Sequence, residues 1–284
     1  MSASSKVWFV TGTSSGFGRS LAEEAIRRGE RVVATARDPK SLDDLVRLAP
    51  DRVRAVCLDI TKSAQIQPAI DEAFRHFGRI DVVVNNAGFS IVGAVEETGD
   101  ADLRATLETM FFGPAALTRA VLPQLRWQGA GTIVQITSVG GLITAPGFGP
   151  YCAAKHALEA LSESLAAEVA PFGIRVLIVE PGAFRTRLFG SAFRSMPALE
   201  IYANTVGPTR AYAAASAGTQ PGDPAKAARA IADAVDAGAP NLRLPLGADA
   251  VQGIRAKLAR VTADVDATEK VASSTVFGAP ESAA

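Results

Sequence analysis

The stretch VWFVTGTSSGFGRSLAEEAIRR, Val7 to Arg28, decides how the chain is read. Its four apolar residues form the run of a strand buried on both faces, and the amphipathic segment after Gly18 has the pattern of a helix. Between them Gly12, Gly16 and Gly18 let the backbone turn tightly and approach a ligand closely. A helix that starts at such a turn offers unpaired N–H groups and a partial positive charge, so the stretch reads as a pyrophosphate site for a dinucleotide. The spacing is G-x-x-x-G-x-G rather than G-x-G-x-x-G, and a purely structural turn is the alternative.

Outward from this stretch, RVVATA, VRAVCLD, DVVVNNAG, GTIVQITS, RVLIVEPG and NLRLPLG alternate with longer amphipathic runs such as SAQIQPAIDEAFRHF. Near-continuous apolar strands separated by helices predict an α/β, single-domain Rossmann fold: a doubly wound parallel sheet of about seven strands, helices on both faces. No repeat at solenoid periods and no low-complexity linker divides residues 1–284. One irregular region, residues 183–224, follows the sixth strand and carries Phe184, Leu188, Phe189, Phe193, Met196 and Tyr202. Its place at the carboxyl end of a strand predicts a substrate lid, and an insertion that merely packs on the body is the alternative. From about residue 262 the Ala/Ser/Thr-rich chain is expected to fray, through the final GAPESAA.

Lys and Arg number 29, as do Asp and Glu, so nothing in the balance points to nucleic acid or an anionic membrane, and a small molecule is the expected partner. The beginning, MSASSKVWFVTG, lacks the apolar core of a signal peptide, and no stretch approaches the ~18 consecutive apolar residues of a membrane span. Cys57 and Cys152 make no disulfide framework, and a soluble protein of a reducing compartment, the cytoplasm, fits best. His76 and His156 have no partners in the sequence that indicate a metal site or a nucleophile triad, and no metal is expected.

The second strand ends in ATARDP, where a cofactor's ribose is expected. Ala36 stands where an acidic residue would accept from a ribose 2′-hydroxyl, and Arg37 follows, a residue able to pair with a 2′-phosphate. Asp38 has its own task as N-cap ahead of Pro39 at the first helical position. NADP(H) is therefore preferred, with NAD(H) possible.

With TGTSSGFG, NNAG from Asn85 to Gly88, ITSVGG around Ser138, YCAAK from Tyr151 to Lys155 and PGAFRT from Pro181 to Thr186 in this order, the chain resembles the classical short-chain dehydrogenase/reductase family over almost its whole length. Within it, VVATARDP, SVGGL, YCAAKHALEALSESLA and QPGDPAKAARAI resemble the 17β-hydroxysteroid dehydrogenase-like branch. The resemblance implies that Tyr151 exchanges a proton with the substrate oxygen, that Ser138 hydrogen-bonds that oxygen, and that Lys155 holds the nicotinamide ribose and lowers the Tyr151 pKa. It implies cofactor contacts from Gly12, Ser14, Ser15, Gly16, Phe17, Gly18 and Arg37, and from Asp59 and Ile60 around the adenine. Asn85, Ala87 and Gly88 are expected on the adenosine side and the central sheet, and Pro181, Gly182, Phe184 and Thr186 along the nicotinamide. A homodimer or homotetramer through the long helices that carry Met110 and Tyr151 is implied too.

The chemistry is coherent on its own terms. Hydride transfer to a ketone leaves a developing alkoxide that needs a proton donor and a hydrogen-bond donor in place beforehand. Tyr151 and Lys155, four apart, share one helix face, and an ammonium beside the phenol, with an oxidised nicotinamide's positive charge when that form is bound, would supply the roughly 3 to 4 kcal/mol that brings a tyrosine towards neutral pH. An ordinary exposed helical pair is the alternative, and for Ser138 a turn residue. Where the family carries an Asn that distorts the helix and helps hold a water in the proton path, this chain has Met110, and a thioether replaces neither donor nor acceptor. Reduced but real activity is expected.

The reading is an oxidoreductase that interconverts a secondary alcohol and a ketone, or an aldehyde and an alcohol, with Tyr151 as acid/base. Ile91, Val92, Leu142 and Phe148, with the apolar residues of the lid, point to a bulky apolar substrate. A dinucleotide-binding sensor or scaffold that has lost turnover through Met110 is the rival.

Overall fold

The alternation of buried faces begins in the first strand: Val7 and Phe9 point to one side and Trp8 and Val10 to the other, all at most 1% exposed. The computed structural model describes residues 5–190, 192–238 and 241–277. Its strands are β1 (Val7–Val10), β2 (Arg31–Ala36), β3 (Val53–Cys57), β4 (Val82–Asn85), β5 (Ser90–Val92), β6 (Gly131–Ile136), β7 (Ile174–Pro181), β8 (Phe193–Ser195) and β9 (Arg243–Leu246). The helices are α1 (Gly16–Arg27), α2 (Asp43–Leu48), α3 (Ser63–Phe77), α4 (Asp100–Leu107), α5 (Gly113–Gln128), α6 (Gly149–Val169), α7 (Gly207–Ser216), α8 (Pro224–Ala237) and α9 (Ala248–Ser273).

Seven strands form one parallel sheet in the order β3-β2-β1-β4-β6-β7-β9, and β5 pairs with β8 in a separate parallel ribbon. Leu21, Ala25, Leu45 and Ile231 pack on one face of the sheet, and Ile70, Leu117, Val121 and Leu165 on the other. Each of the Leu, Ile and Val side chains among them contributes about 1.5–3 kcal/mol when fully buried. The single-domain, doubly wound architecture read from the alternating runs is the one observed. Strand order reverses between β1 and β4, so the chain leaves both side by side and opens a crevice at their carboxyl ends.

Two features differ from the sequence reading. The tail does not fray at residue 262: α9 continues to Ser273, because Ala-rich turns with an apolar residue every three or four positions sustain a helix there. The final segment, 278–284, lies outside the described residues. The region 183–224 is also more ordered than irregular, since its β8 is hydrogen-bonded to β5 and Arg210 ties α7 to Glu97 at 2.6 Å. No described helix is long and apolar enough to cross a membrane.

Candidate active site

The crevice at the β1/β4 reversal opens into a cleft of about 890 Å³. At one end lies the glycine turn. Gly12 has φ +70, and a Cβ on it would come within 3.0 Å of Ala87 Cα. A Cβ on Gly18 would lie 2.4 Å from Asn86 Nδ2 and 2.5 Å from the Gly12 carbonyl oxygen. The space that Gly18 leaves is the space through which Asn86 reaches the turn: its Nδ2 donates to Thr11 O (2.8 Å) and Gly12 O (3.2 Å). Helix α1 starts without a side-chain cap and without an acidic residue in its first turn, so its N-terminal amides face the cleft uncompensated.

Ser14, Ser15, Gly16, Phe17, Arg37, Asp59, Ile60, Ala87, Gly88, Pro181, Gly182, Phe184 and Thr186 all line this cleft. Gly18 and Asn85 do not. Gly18 sits behind the turn, and Asn85 is 1% exposed with its Nδ2 donating to Thr118 Oγ1 at 3.1 Å. The Asn that reaches the cleft is Asn86, because side chains alternate along β4 and the register sends Asn85 towards α5. Asp38 caps the turn that follows β2, accepting from Lys40 N, while Arg37 stays on the cleft wall.

Towards the middle, Ser138 caps the short turn that follows β6, and Tyr151 and Lys155 rise from α6. A Cβ on Gly140 would lie 3.2 Å from Tyr151 Cε1 and 3.3 Å from Ser138 Oγ, so these two side chains converge over a residue that has none. Lys155 Nζ lies 5.8 Å from the Tyr151 ring centre and donates to Ile136 O at 2.8 Å. Both are buried rather than an exposed helical pair. Burial pushes the Tyr151 phenol up to about 12 against the pull of the Ser138 hydroxyl, and burial brings Lys155 down to about 8 against the attraction of Glu159. Among the protein's own residues desolvation therefore holds Tyr151 above its ordinary value, whereas the expected lowering also counts the positive charge of an oxidised nicotinamide.

Met110 is 1% exposed and packs beneath Gly88, whose Cβ would meet its sulfur at 3.3 Å. It lies in a π-helical turn, Glu108–Phe112, closed by Gly113 N–H donating to Glu108 O five residues back. The helix distortion expected from an Asn side chain is thus present without one. Gly113 lets this turn lie against Ile60, because a Cβ there would meet Ile60 O at 2.7 Å.

The far wall is aromatic. Phe148 stands edge-on to Tyr151 at 6.3 Å and stacks on Phe189 at 6.2 Å, which in turn meets Tyr212 at 6.2 Å. Leu188 joins them, but Ile91, Val92, Leu142, Phe193, Met196 and Tyr202 do not line the cleft. Ile91 and Val92 are wholly buried on β5, and Phe193 and Tyr202 pack against the small cluster around Val92 and Val206 beneath the insertion. Lining residues without a sequence signal include Tyr212, Arg194, 4.1 Å over the Phe89 ring, and Asp249 on α9, which accepts from Ala183 N at 2.7 Å.

A family model described as short chain dehydrogenase matches residues 6–196. A short-chain dehydrogenase from Streptomyces avermitilis, known from its crystal structure, is 52% identical with a TM-score of 0.91, covering 97% of this chain and 100% of that one. An oxidoreductase of Botryotinia fuckeliana is 41% identical over 248 residues, 87% of this chain and 90% of that protein. Human retinol dehydrogenase 5 is 43% identical over 187 residues, 65% of this chain and 58% of its own.

Proposed function

Because the chain belongs to the short-chain dehydrogenase family and is an oxidoreductase acting on CH–OH donors, we propose that it interconverts a secondary alcohol and a ketone, or an aldehyde and an alcohol, on a bulky apolar substrate with NADP(H). The observation that carries this is the convergence of Tyr151 and Ser138, with Lys155 behind them, midway between an uncapped helix terminus and an aromatic wall.

The residues fit a dinucleotide. Side chains at Gly12 or Gly18 would fill the turn, and the α1 amides and Arg37 supply donors for phosphate. Asp59 and Ile60 border the adenine end, and Pro181, Gly182, Phe184 and Thr186 the nicotinamide end. Arg37 on the wall, with Asp38 occupied as a cap, supports NADP(H) over NAD(H). When bound, the nicotinamide supplies or accepts the hydride.

In the reductive direction Tyr151 gives its proton to the substrate oxygen as negative charge develops there, and Ser138 donates a hydrogen bond to the same atom. Lys155, anchored to Ile136 O, brings positive charge behind the phenol and stabilises the tyrosinate that the step leaves. Phe148, Phe189 and Tyr212 take up the apolar body of the substrate and keep water away. The segment 183–224 acts as the lid, with Phe184, Leu188 and Phe189 on its inner side. The resemblance to retinol dehydrogenase 5 supports an apolar substrate of retinoid size.

The test is absorbance decay of NADPH with a panel of apolar and polar ketones and aldehydes. Wild type is expected to oxidise NADPH with at least one apolar carbonyl, and Tyr151→Phe to bind NADPH with unchanged affinity and lose turnover by at least 10²-fold, the scale of a lost general acid. Equal turnover in Tyr151→Phe would remove Tyr151 from the reaction. Tight NADPH binding with no decay by wild type across the panel would favour the sensor reading.

A further inference from the structure

Helix α9 is 26 residues long, but only its first turns rest on the body. Ala250 and Ile254 are buried, and Gly253 passes close to Ile143. Beyond Ile254 no side chain of the helix is buried among the described residues, so about 28 Å of helix, at 1.5 Å per residue, runs out into solvent. In water a helix owes most of its stability to the packing of an apolar face.

This helix has such a face. From Ile254 the apolar positions continue as Leu258, Val261 and Val265, and the row extends through Thr268 and Ala272 in alternating steps of four and three. That spacing keeps a seam on one side of a helix and is the pattern by which two helices pack along their length. Leu258 is 56% exposed, Val261 40% and Val265 59%, so the seam is uncovered within one chain.

The charges that flank the seam are divided along the axis: Arg255 and Lys257 lie in the half nearest the body and Asp264 and Glu269 in the outer half, while Arg260, Asp266 and Lys270 lie farther round the helix. A second copy laid parallel would set like charges against like, whereas an antiparallel copy sets each basic half against the other's acidic half.

We infer that α9 is an interface between two copies of this chain, which pair antiparallel through the seam of Leu258, Val261 and Val265. The surface lies on a different element from α5 and α6. At its root Asp249 holds the Ala183 N–H on the cleft wall, so the pairing fixes the element that supports one edge of the cleft.

The full chain and its Leu258→Glu/Val265→Glu variant are compared by sedimentation equilibrium over a range of concentrations. Both positions are exposed in the single chain, so the variant is expected to fold, with an unchanged near-ultraviolet spectrum, and to have half the wild-type assembly mass. Orientation is read from disulfide crosslinking in a Cys57→Ser background, with Arg255→Cys and Glu269→Cys chains co-expressed and oxidised. Mixed 255–269 dimers are expected. Equal masses for wild type and variant would overturn the pairing and leave the seam to a partner of another kind, and crosslinks of position 255 only to itself would overturn the antiparallel arrangement.

Discussion

Replacing Gly18 by Ala tests the construction of the phosphate turn directly. The added Cβ would sit 2.5 Å from the Gly12 carbonyl oxygen, a backbone atom that cannot swing aside, and 2.4 Å from Asn86 Nδ2. Relief requires the turn and α1 to separate, which strains well-packed surroundings by about 1–3 kcal/mol. It also breaks or lengthens the two Asn86 hydrogen bonds, each worth about 1 kcal/mol. Ala is a better helix former than Gly by about 1 kcal/mol, which offsets part of this. The net loss is about 2–4 kcal/mol, or a Tm roughly 4–8 °C lower for a chain of this size. The displaced amides would also each forfeit a hydrogen bond to charged phosphate worth about 1.5–3 kcal/mol, so NADPH binding should weaken at least about tenfold. Thermal unfolding and a fluorescence titration read both, with Gly207→Ala as control, since nothing lies within 4 Å of a Cβ there. A Gly18→Ala protein that keeps wild-type Tm and NADPH affinity would refute the reasoning.

Other substitutions separate the roles assigned around the cleft. Lys155 titrates near 8 in the folded chain and 10.5 in the unfolded one, so between these values the unfolded chain binds more protons and this group's contribution to stability rises with pH. Lys155→Met should flatten the slope of Tm across pH 8–10, an effect on the order of 3 kcal/mol at full extent, and an unchanged slope would mean the ammonium is not desolvated. Tyr151 acts oppositely from pH 10 to about 12, where stability falls as pH rises, and Tyr151→Phe should remove that decline in a pH-dependent unfolding series. Arg37→Ala should weaken NADPH at least about tenfold while NADH changes less than about twofold, and equal losses in parallel titrations would assign Arg37 no part in choosing the cofactor. Met110→Asn should change kcat less than about threefold, because the π turn already exists, yet lower stability by about 2 kcal/mol by placing an amide in an apolar site. A large rise in kcat would show that the side chain itself carries the missing function.

The sheet was legible because its central strands are buried on both faces and so read as unbroken apolar runs. The cleft was legible where a motif is a backbone requirement, as at Gly12, or an i, i+4 pair, as at Tyr151 and Lys155. It was not legible where residues meet only in three dimensions. Asp249 reaches Ala183 from 66 positions away, and Asn85 and Asn86 are adjacent letters whose roles depend on strand register. The apolar residues of 183–224 were recognised as a group, but their division between cleft and core follows from the pairing of β8 with β5, whose partners lie 103 positions apart. The outer half of α9 was misread as a frayed tail because small residues obscure a seam that is plain once the helix period is imposed.

The burial of Tyr151 bears on direction. Side-chain spacing alone puts an ammonium beside a phenol and argues for a lowered pKa, but the same helix carries both groups into the interior, where losing water disfavours each charged form. The phenol therefore holds its proton throughout the neutral range. Under the proposed reaction that is the form needed for reduction, since the donor is ready before charge appears on the substrate oxygen. Oxidation asks for the opposite, a phenolate before the alcohol gives up its hydrogen; reduction leaves the same buried phenolate behind, and the Lys155 ammonium is placed to stabilise it in either direction. Burial among the chain's own residues thus keeps Tyr151 in the protonated form that starts a reduction, while the positive charge of an oxidised nicotinamide would lower its pKa for an oxidation.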